Sequence, residues 1–205
     1  MDKRIGSGAV TVLCSTLRSN GKWMVVAKQF DGVYAIESIP HAPNRPALFK
    51  EVMRVLKPGA QFGGYDWCMT DLYNKDDETH QTIKHEIEAG DAMPETPHTS
   101  EVIQALEEAG FIVNDARDLA PLSDPETPWY LPLAGRDFSI KGLLCTRVGR
   151  RTTHIMVWTL EKLRLAPAGS TDVSRFLIRV ADHLVAGGKS GIFTPMFYFR
   201  ATKPK

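Results

Sequence analysis

Two short clusters in the 205-residue chain hold side chains able to do chemistry. Tyr34, Glu37, Ser38 and His41 fall in the first, and Tyr65, Asp66, Trp67 and Asp71 in the second. Carboxylates and aromatic faces stabilise positive charge, most strongly where water is excluded. An imidazole can take a proton near neutral pH. Each residue also has a plainer reading. Glu37 is equally a hydrogen-bonded strand-end carboxylate, and His41, beside two prolines, a structural histidine. Asp71 is equally a cap for the next segment, and Cys68 a small buried hydrophobe. A further aromatic pair, Trp129-Tyr130, sits in a Pro-rich stretch, Pro121 to Pro132.

The elements around the clusters explain why they belong together. Phe30-Asp-Gly-Val-Tyr-Ala-Ile-Glu is an apolar run of strand length ending on a carboxylate, and Pro40 and Pro43 stop its continuation. Pro46 suits the first turn of a helix, whose apolar face is Leu48, Phe49, Val52, Met53 and Leu56. Lys57-Pro58-Gly59 ends that helix, and Gln61 to Asp66 reads as the next strand. Strand, helix, turn and strand in this order form a βαβ unit with parallel strands. Ligands of such sheets bind beyond the carboxyl ends of the strands, which here are Glu37 to His41 and Tyr65 to Asp71.

Helical spacing returns at about 79–89 (Ile83, Ile87) and 100–109 (Val102, Ile103, Leu106), with Ser100 as N-cap and Gly110 as stop. Phe111-Ile-Val begins another strand. Two amphipathic helices are expected at about 151–165 and 171–186, the second ended by Gly187-Gly188. Their apolar stripes, Ile155, Met156, Thr159, Leu160, Leu163 and Val173, Phe176, Leu177, Val180, Leu184, are expected to be core. Arg147, Arg150 and Arg151 read as a solvated face. Thr194 to Thr202 is a final strand. Upstream, Val10-Thr-Val-Leu and Trp23-Met-Val-Val-Ala read as strands, with Asn20-Gly21 as a turn between them.

Composition narrows the function classes. The formal net charge is +1, which gives no concentrated basic surface for nucleic acid. Three cysteines without paired spacing argue against a disulfide framework and a Cys-based zinc site, and fit a reducing compartment. No signal peptide or membrane-spanning run is expected.

Three segments, in order, carry a resemblance. Tyr34-Ala-Ile-Glu-Ser-Ile-Pro-His-Ala-Pro is similar to Y-A-I-E-A-T-C-H-A-P, and Tyr65-Asp-Trp-Cys-Met-Thr-Asp to Y-E-W-C-M-T-D. The third is Pro128-Trp-Tyr-Leu-Pro-Leu paired with Ile192-Phe-Thr-Pro-Met-Phe-Tyr-Phe. Glu86-Ile-Glu-Ala-Gly-Asp adds a fourth likeness. Together they resemble the sterol 24-C-methyltransferases over residues 30–205. Pro40 stands where that family has Cys, and Asp66 where it has Glu. No D-V-G-C-G-x-G-G loop or ribose-holding carboxylate is present in residues 1–28, and Gly6-Ser7-Gly8 is a poor substitute.

The resemblance implies an α/β fold: a partial class I, Rossmann-like methyltransferase sheet lacking its first strands, then a helical C-terminal sterol-methyltransferase region and a final strand. It divides the chain into an atypical segment 1–28, a methyltransferase part 29–120 and the sterol region 121–205. It implies S-adenosylmethionine as methyl donor, no metal, and methylation of a sterol side-chain alkene at C-24. Glu37, His41 and Asp66 are then catalytic candidates. Tyr34, Tyr65, Trp67, Asp71, Trp129 and Tyr130 would bind substrate, with Phe138 near them, and Glu37 and Ser38 would bind cofactor. The setting implied is the cytoplasm or the cytoplasmic side of the endoplasmic reticulum membrane, with room for a homo-oligomer and peripheral membrane association. The other readings are a sterol-binding or regulatory paralogue paired with a full-length enzyme, and a methyltransferase of another apolar molecule. An unpaired sheet edge is expected near residue 30, which residues 10–26 would cover.

Overall fold

The computed structural model describes residues 9–11, 18–19, 22–23, 27–135 and 146–205. Gly6-Ser7-Gly8, Cys14, Phe138 and Cys145 lie outside them. In chain order the first strands are β1 (Ala9–Thr11), β2 (Arg18–Ser19), β3 (Lys22–Trp23) and β4 (Phe30–Ile36). Helix α1 (Arg45–Val55) leads straight into β5 (Leu56–Met69), followed by α2 (Glu78–Gly90), α3 (Thr99–Glu108) and β6 (Ile112–Asp118). Then come α4 (Leu131–Ala134), α5 (Arg147–Lys162), α6 (Ser170–Ser190) and β7 (Phe193–Thr202).

One sheet has the order β1-β4-β5-β7-β6. β4 lies parallel to β5, as the βαβ reading requires, and β6 antiparallel to β7. The edge beside β4 is covered by β1, which runs parallel to it from Ala9↔Gly32 to Thr11↔Tyr34. The Val10 and Trp23 runs are therefore not partners. The upstream hairpin pairs Arg18 with Trp23 and Ser19 with Lys22, in a separate two-stranded sheet.

The chain packs as two units that interleave along its length. One comprises Met1–Cys68, Met93–Leu119 and Pro195–Lys205, the other Met69–Ala92 and Ala120–Thr194. The first unit's core is the sheet face carrying Val33, Ala35, Phe62 and Phe199 with Phe49 and Val52 of α1 and Val102 and Leu106 of α3. Phe49, Phe62 and Phe199 meet edge-on with ring centroids 5.0–6.1 Å apart, a geometry that adds to area burial. Asn44 caps α1 by accepting from the Ala47 N–H (2.9 Å), with Pro46 in the first turn. At the other end Lys203 Nζ donates to the carbonyls of Met53 (2.6 Å) and Leu56 (2.8 Å), occupying acceptors the helix leaves unpaired. Lys57-Pro58-Gly59 stops the helix but makes no separate turn. Gly59, at φ 78°, donates to the Lys203 carbonyl (2.9 Å) and the segment runs on as β5. The cap of α3 is His98, whose ring accepts from the Ser100 N–H (3.3 Å) while Glu101 accepts from the His98 N–H (2.8 Å); Ser100 lies inside the helix.

In the second unit α2 buries Ile83 and Ile87, and α6 buries Val180 and Gly187. Gly187 and Gly188 do not end α6, which runs to Ser190 and closes on Gly191 at φ 73°. They are sites of close approach. A Cβ on Gly188 would sit 2.3 Å from Tyr130 Cδ1 and 2.8 Å from Trp129 Cζ2. The expected burial of the two stripes is also corrected: Ile155, Met156, Leu163, Val173 and Leu177 are exposed. A helix of four residues, α4, and a 3-10 turn, Ala120–Leu122, interrupt the Pro-rich stretch. Arg150 is not simply solvated. It pairs with Asp182 (2.6 Å) and donates to the Leu133 carbonyl. Among the described residues no helix is long and apolar enough to cross a membrane.

The corner between α5 and α6 is tied by Glu161, which accepts from the Thr171 hydroxyl and from the N–H groups of Gly169 (2.9 Å) and Thr171 (2.7 Å). The Thr171 hydroxyl first, then those amides, hold its carboxyl down from 4.5 to about 2. A depressed folded-state pKa stabilises above the unfolded value and is lost as pH falls through the folded one. The advantage in thermal midpoint of the parent over Glu161→Gln is therefore expected to be full above pH 4.5 and to vanish towards pH 2. A difference independent of pH across that window would contradict this tie.

Candidate functional site

The ladder of β4 and β5 runs from Gly32↔Gln61 to Ile36↔Tyr65, so Glu37 and Asp66 each lie one residue past a paired position on the same sheet edge. Successive side chains of a strand point to opposite faces. Along β5, Phe62, Gly64, Asp66 and Cys68 are buried, while Tyr65 and Trp67, on the other face, are partly exposed. Tyr65 packs against Tyr198 with ring centroids 5.7 Å apart. Tyr34 is exposed.

Glu37 stands at φ 51°, a left-handed conformation that costs a residue with a Cβ roughly 1–2 kcal/mol. Strain of this kind concentrates where a side chain is held for use. The segment after it is a 3-10 turn, Ile39–His41, anchored by buried Ile39 and Pro40. The anchoring leaves Glu37 and His41 exposed and Ser38 half-buried. Among the described residues Glu37 and His41 make no hydrogen bond or ion pair.

Asp66 is the opposite case, with a side chain 0% exposed. Its Oδ2 accepts from Arg45 Nε (3.1 Å) and its Oδ1 from the Trp67 N–H (2.9 Å). Arg45 also donates through Nη1 to the Glu95 carbonyl (3.0 Å). Burial pushes the Asp66 carboxyl up, against the Arg45 charge and the hydrogen bonds from Arg45 and Trp67. Both oxygens are engaged, so Asp66 holds the strand end in place; it is not an open base. Burial, then the Asp66 charge, pushes the Cys68 thiol well up. That makes Cys68 an inert core residue.

Tyr34, Glu37, Ser38, His41, Tyr65, Asp66 and Trp67 belong to the first unit; Asp71, Trp129 and Tyr130 belong to the second. Asp71 is exposed in the turn after β5. Just before it, the Thr70 hydroxyl donates to the Gly191 carbonyl (2.6 Å). Trp129 meets Tyr130 and Phe193 edge-on at 5.6 and 5.7 Å, so these rings brace the Gly188 turn of α6. Arg45 is the residue sequence reasoning missed. The one hint was the shortened carboxylate at position 66, and its partner lies 21 residues away in sequence. Among the described residues no three His, Cys, Asp or Glu side chains are grouped as metal ligands.

Residues 140–205 match the family described as sterol methyltransferase C-terminal, and residues 6–63 the methyltransferase domain. The second match reaches into the segment 1–28 that the motifs leave uncovered. The chain is 50% identical over 176 residues to a cycloartenol-C-24-methyltransferase of Arabidopsis thaliana, covering 86% of this chain and 52% of that one. It is 44% identical over 183 residues to a sterol 24-C-methyltransferase of Saccharomyces cerevisiae, covering 86% and 48%. The chain belongs to the sterol 24-C-methyltransferase family. It spans about half the length of the curated relatives it matches. The fold agrees with a geranyl diphosphate C-methyltransferase from Streptomyces coelicolor A3(2), at TM-score 0.54 and 13% identity over 90% of this chain and 51% of that one. This is the class I S-adenosylmethionine methyltransferase fold.

The Arg45–Asp66 pair gives the test of the site's frame. Removing one partner of a buried pair costs about 3–5 kcal/mol, while replacing both by apolar groups is close to neutral. Arg45→Met is expected to lower stability by that amount, and Arg45→Met with Asp66→Leu to recover most of it, as read by denaturant unfolding. A double variant no more stable than the single would contradict the pairing.

Proposed function

We propose that this chain carries the strand-end part of a site that transfers a methyl group from S-adenosylmethionine to the C-24 alkene of a sterol side chain, in sterol biosynthesis. The observation that supports this most is Glu37, a carboxylate left exposed and without a partner among the described residues, in a left-handed conformation at the carboxyl end of a parallel strand. Such a group suits a ligand that is both hydroxylated and cationic, as S-adenosylmethionine is. When bound, that cofactor supplies an electrophilic methyl group.

The chain's own residues have the other tasks. Glu37 and Ser38 hold the cofactor. Tyr34, Tyr65 and Trp67 orient the alkene and keep water from the cation that methylation leaves on the sterol, their ring faces stabilising its charge. His41 accepts the proton whose loss restores neutrality, with Glu37 as its electrostatic neighbour on the chain. Asp66, a catalytic candidate by sequence, is assigned to positioning through Arg45. Asp71, Trp129 and Tyr130 are proposed as sterol contacts of the second unit. The division at residues 28 and 120 is kept as a proposal about descent, distinct from the two packed units.

The proposed setting is the cytoplasm or the cytoplasmic side of the endoplasmic reticulum membrane, with peripheral association and room for a homo-oligomer. The paralogue without catalysis is not favoured, because the residues with catalytic character at the edge are retained.

Calorimetric titration with S-adenosylmethionine tests this. Losing a hydrogen bond to a charged group costs about 1.5–3 kcal/mol, or roughly tenfold or more in affinity. Binding heat is expected, with Glu37→Gln weakening it by about that factor. Absence of heat at millimolar cofactor would overturn methyl transfer by this chain, and unchanged affinity in Glu37→Gln would remove Glu37 from the site.

A further inference from the structure

The helices α5 and α6 present an apolar surface that their own unit does not bury. They are joined through Arg150 to Asp182, His154 to Ser174 (3.2 Å) and Glu161 to Thr171. At about 100° per residue, Arg150, His154 and Glu161 share one face of α5. Val148, Ile155, Met156 and Leu163 fall on the opposite face, with Trp158 on its flank. Ile155 is 59% exposed, Met156 55%, Trp158 49% and Leu163 62%. Leu165, Val173 and Leu177 extend the exposed surface into the turn and onto α6. Between the two helices an apolar groove of about 730 Å³, lined by Val157, Val173, Leu177 and Ile178 among others, opens the same unit further.

Charge decides what covers this surface. Side chains interleaved with the apolar ones on α5 are Arg151, Thr152, Thr159 and Lys162, and none is acidic. The helix's single acid, Glu161, is turned inward to tie α6. Residues 147–190 contain eight Lys and Arg against three Asp and Glu, in a chain whose net charge is +1. The positive charge is therefore concentrated on this helix pair. A second copy docking by the outer face of α5 would set Arg151 and Lys162 against their own kind, since that face carries no carboxylate, and the exposed acid of the adjoining surface, Asp172 beside Val173, already pairs with Arg175 (3.4 Å). An anionic phospholipid surface meets both demands. It accepts apolar and indole side chains at the headgroup boundary and pairs Lys and Arg with phosphate.

We propose that the outer face of α5, continued by Leu165, Val173 and Leu177, docks this chain on an anionic phospholipid membrane surface. This deepens the peripheral setting proposed above and is independent of methyl transfer; its failure would leave the cofactor titration unaffected.

The test is co-sedimentation of the full chain with vesicles of phosphatidylcholine alone or mixed with phosphatidylserine, at low and high salt. Binding is expected to the mixed vesicles, to weaken with salt, and to shift Trp158 emission to the blue, a shift lost in Trp158→Phe. Each basic residue near such a surface contributes about 1 kcal/mol, so Arg151→Glu with Lys162→Glu is expected to weaken binding at least tenfold. Ile155→Asp with Leu163→Asp, both at exposed positions, is expected to abolish it. Three results would overturn the proposal. The parent could fail to sediment, or it could bind neutral and anionic vesicles equally. Alternatively, light scattering could show a dimer that Ile155→Asp dissolves, which assigns the face to a second copy.

Discussion

The site depends on one constraint, the close parallel seating of β5 against β4. Gly64 shows how tight it is, since a Cβ there would lie 2.6 Å from the Ala35 carbonyl and 3.0 Å from the Phe199 ring. This seating fixes the register that ends at Ile36↔Tyr65. Glu37 and Asp66 leave the sheet at one edge for that reason, yet the two carboxylates meet different fates there. One is strained, exposed and without a partner among the described residues; the other is buried and bound on both oxygens.

That contrast reorganises the chemistry. Two carboxylates at adjacent strand ends suggest two acids or bases of equal standing. Burial and Arg45 take Asp66 out of that role and make it part of the frame, along with the Trp67 N–H. What remains open is Glu37, with His41 four residues on, held outward by the buried Ile39-Pro40 anchor. Asp66 paired with Arg45 is the local solution by which this chain holds the end of β5.

Much of the frame was legible in the sequence. The run ending at Glu37, the helix opened by Pro46 and the strand through Asp66 announce themselves by period, proline position and length, which are local signals. The family motifs fall at the ends of those strands. What was illegible is non-local. Nothing near Asp66 names Arg45. Gly187-Gly188 look like a stop by composition, yet they serve packing, Gly187 against Ile83, Ile87 and Phe193 and Gly188 against Trp129 and Tyr130, residues about sixty positions away. The apolar stripes of α5 and α6 carry helical period correctly, but period reports a shared face and not what covers it.

Amide hydrogen exchange with and without S-adenosylmethionine tests the central claim, that the carboxyl edge of β4 and β5 is where the reactants meet. Slowed exchange is predicted at residues 37–41 and 65–71, with residues 147–190 unchanged. Slowing confined to residues 147–190, with none at the two strand ends, would contradict the account.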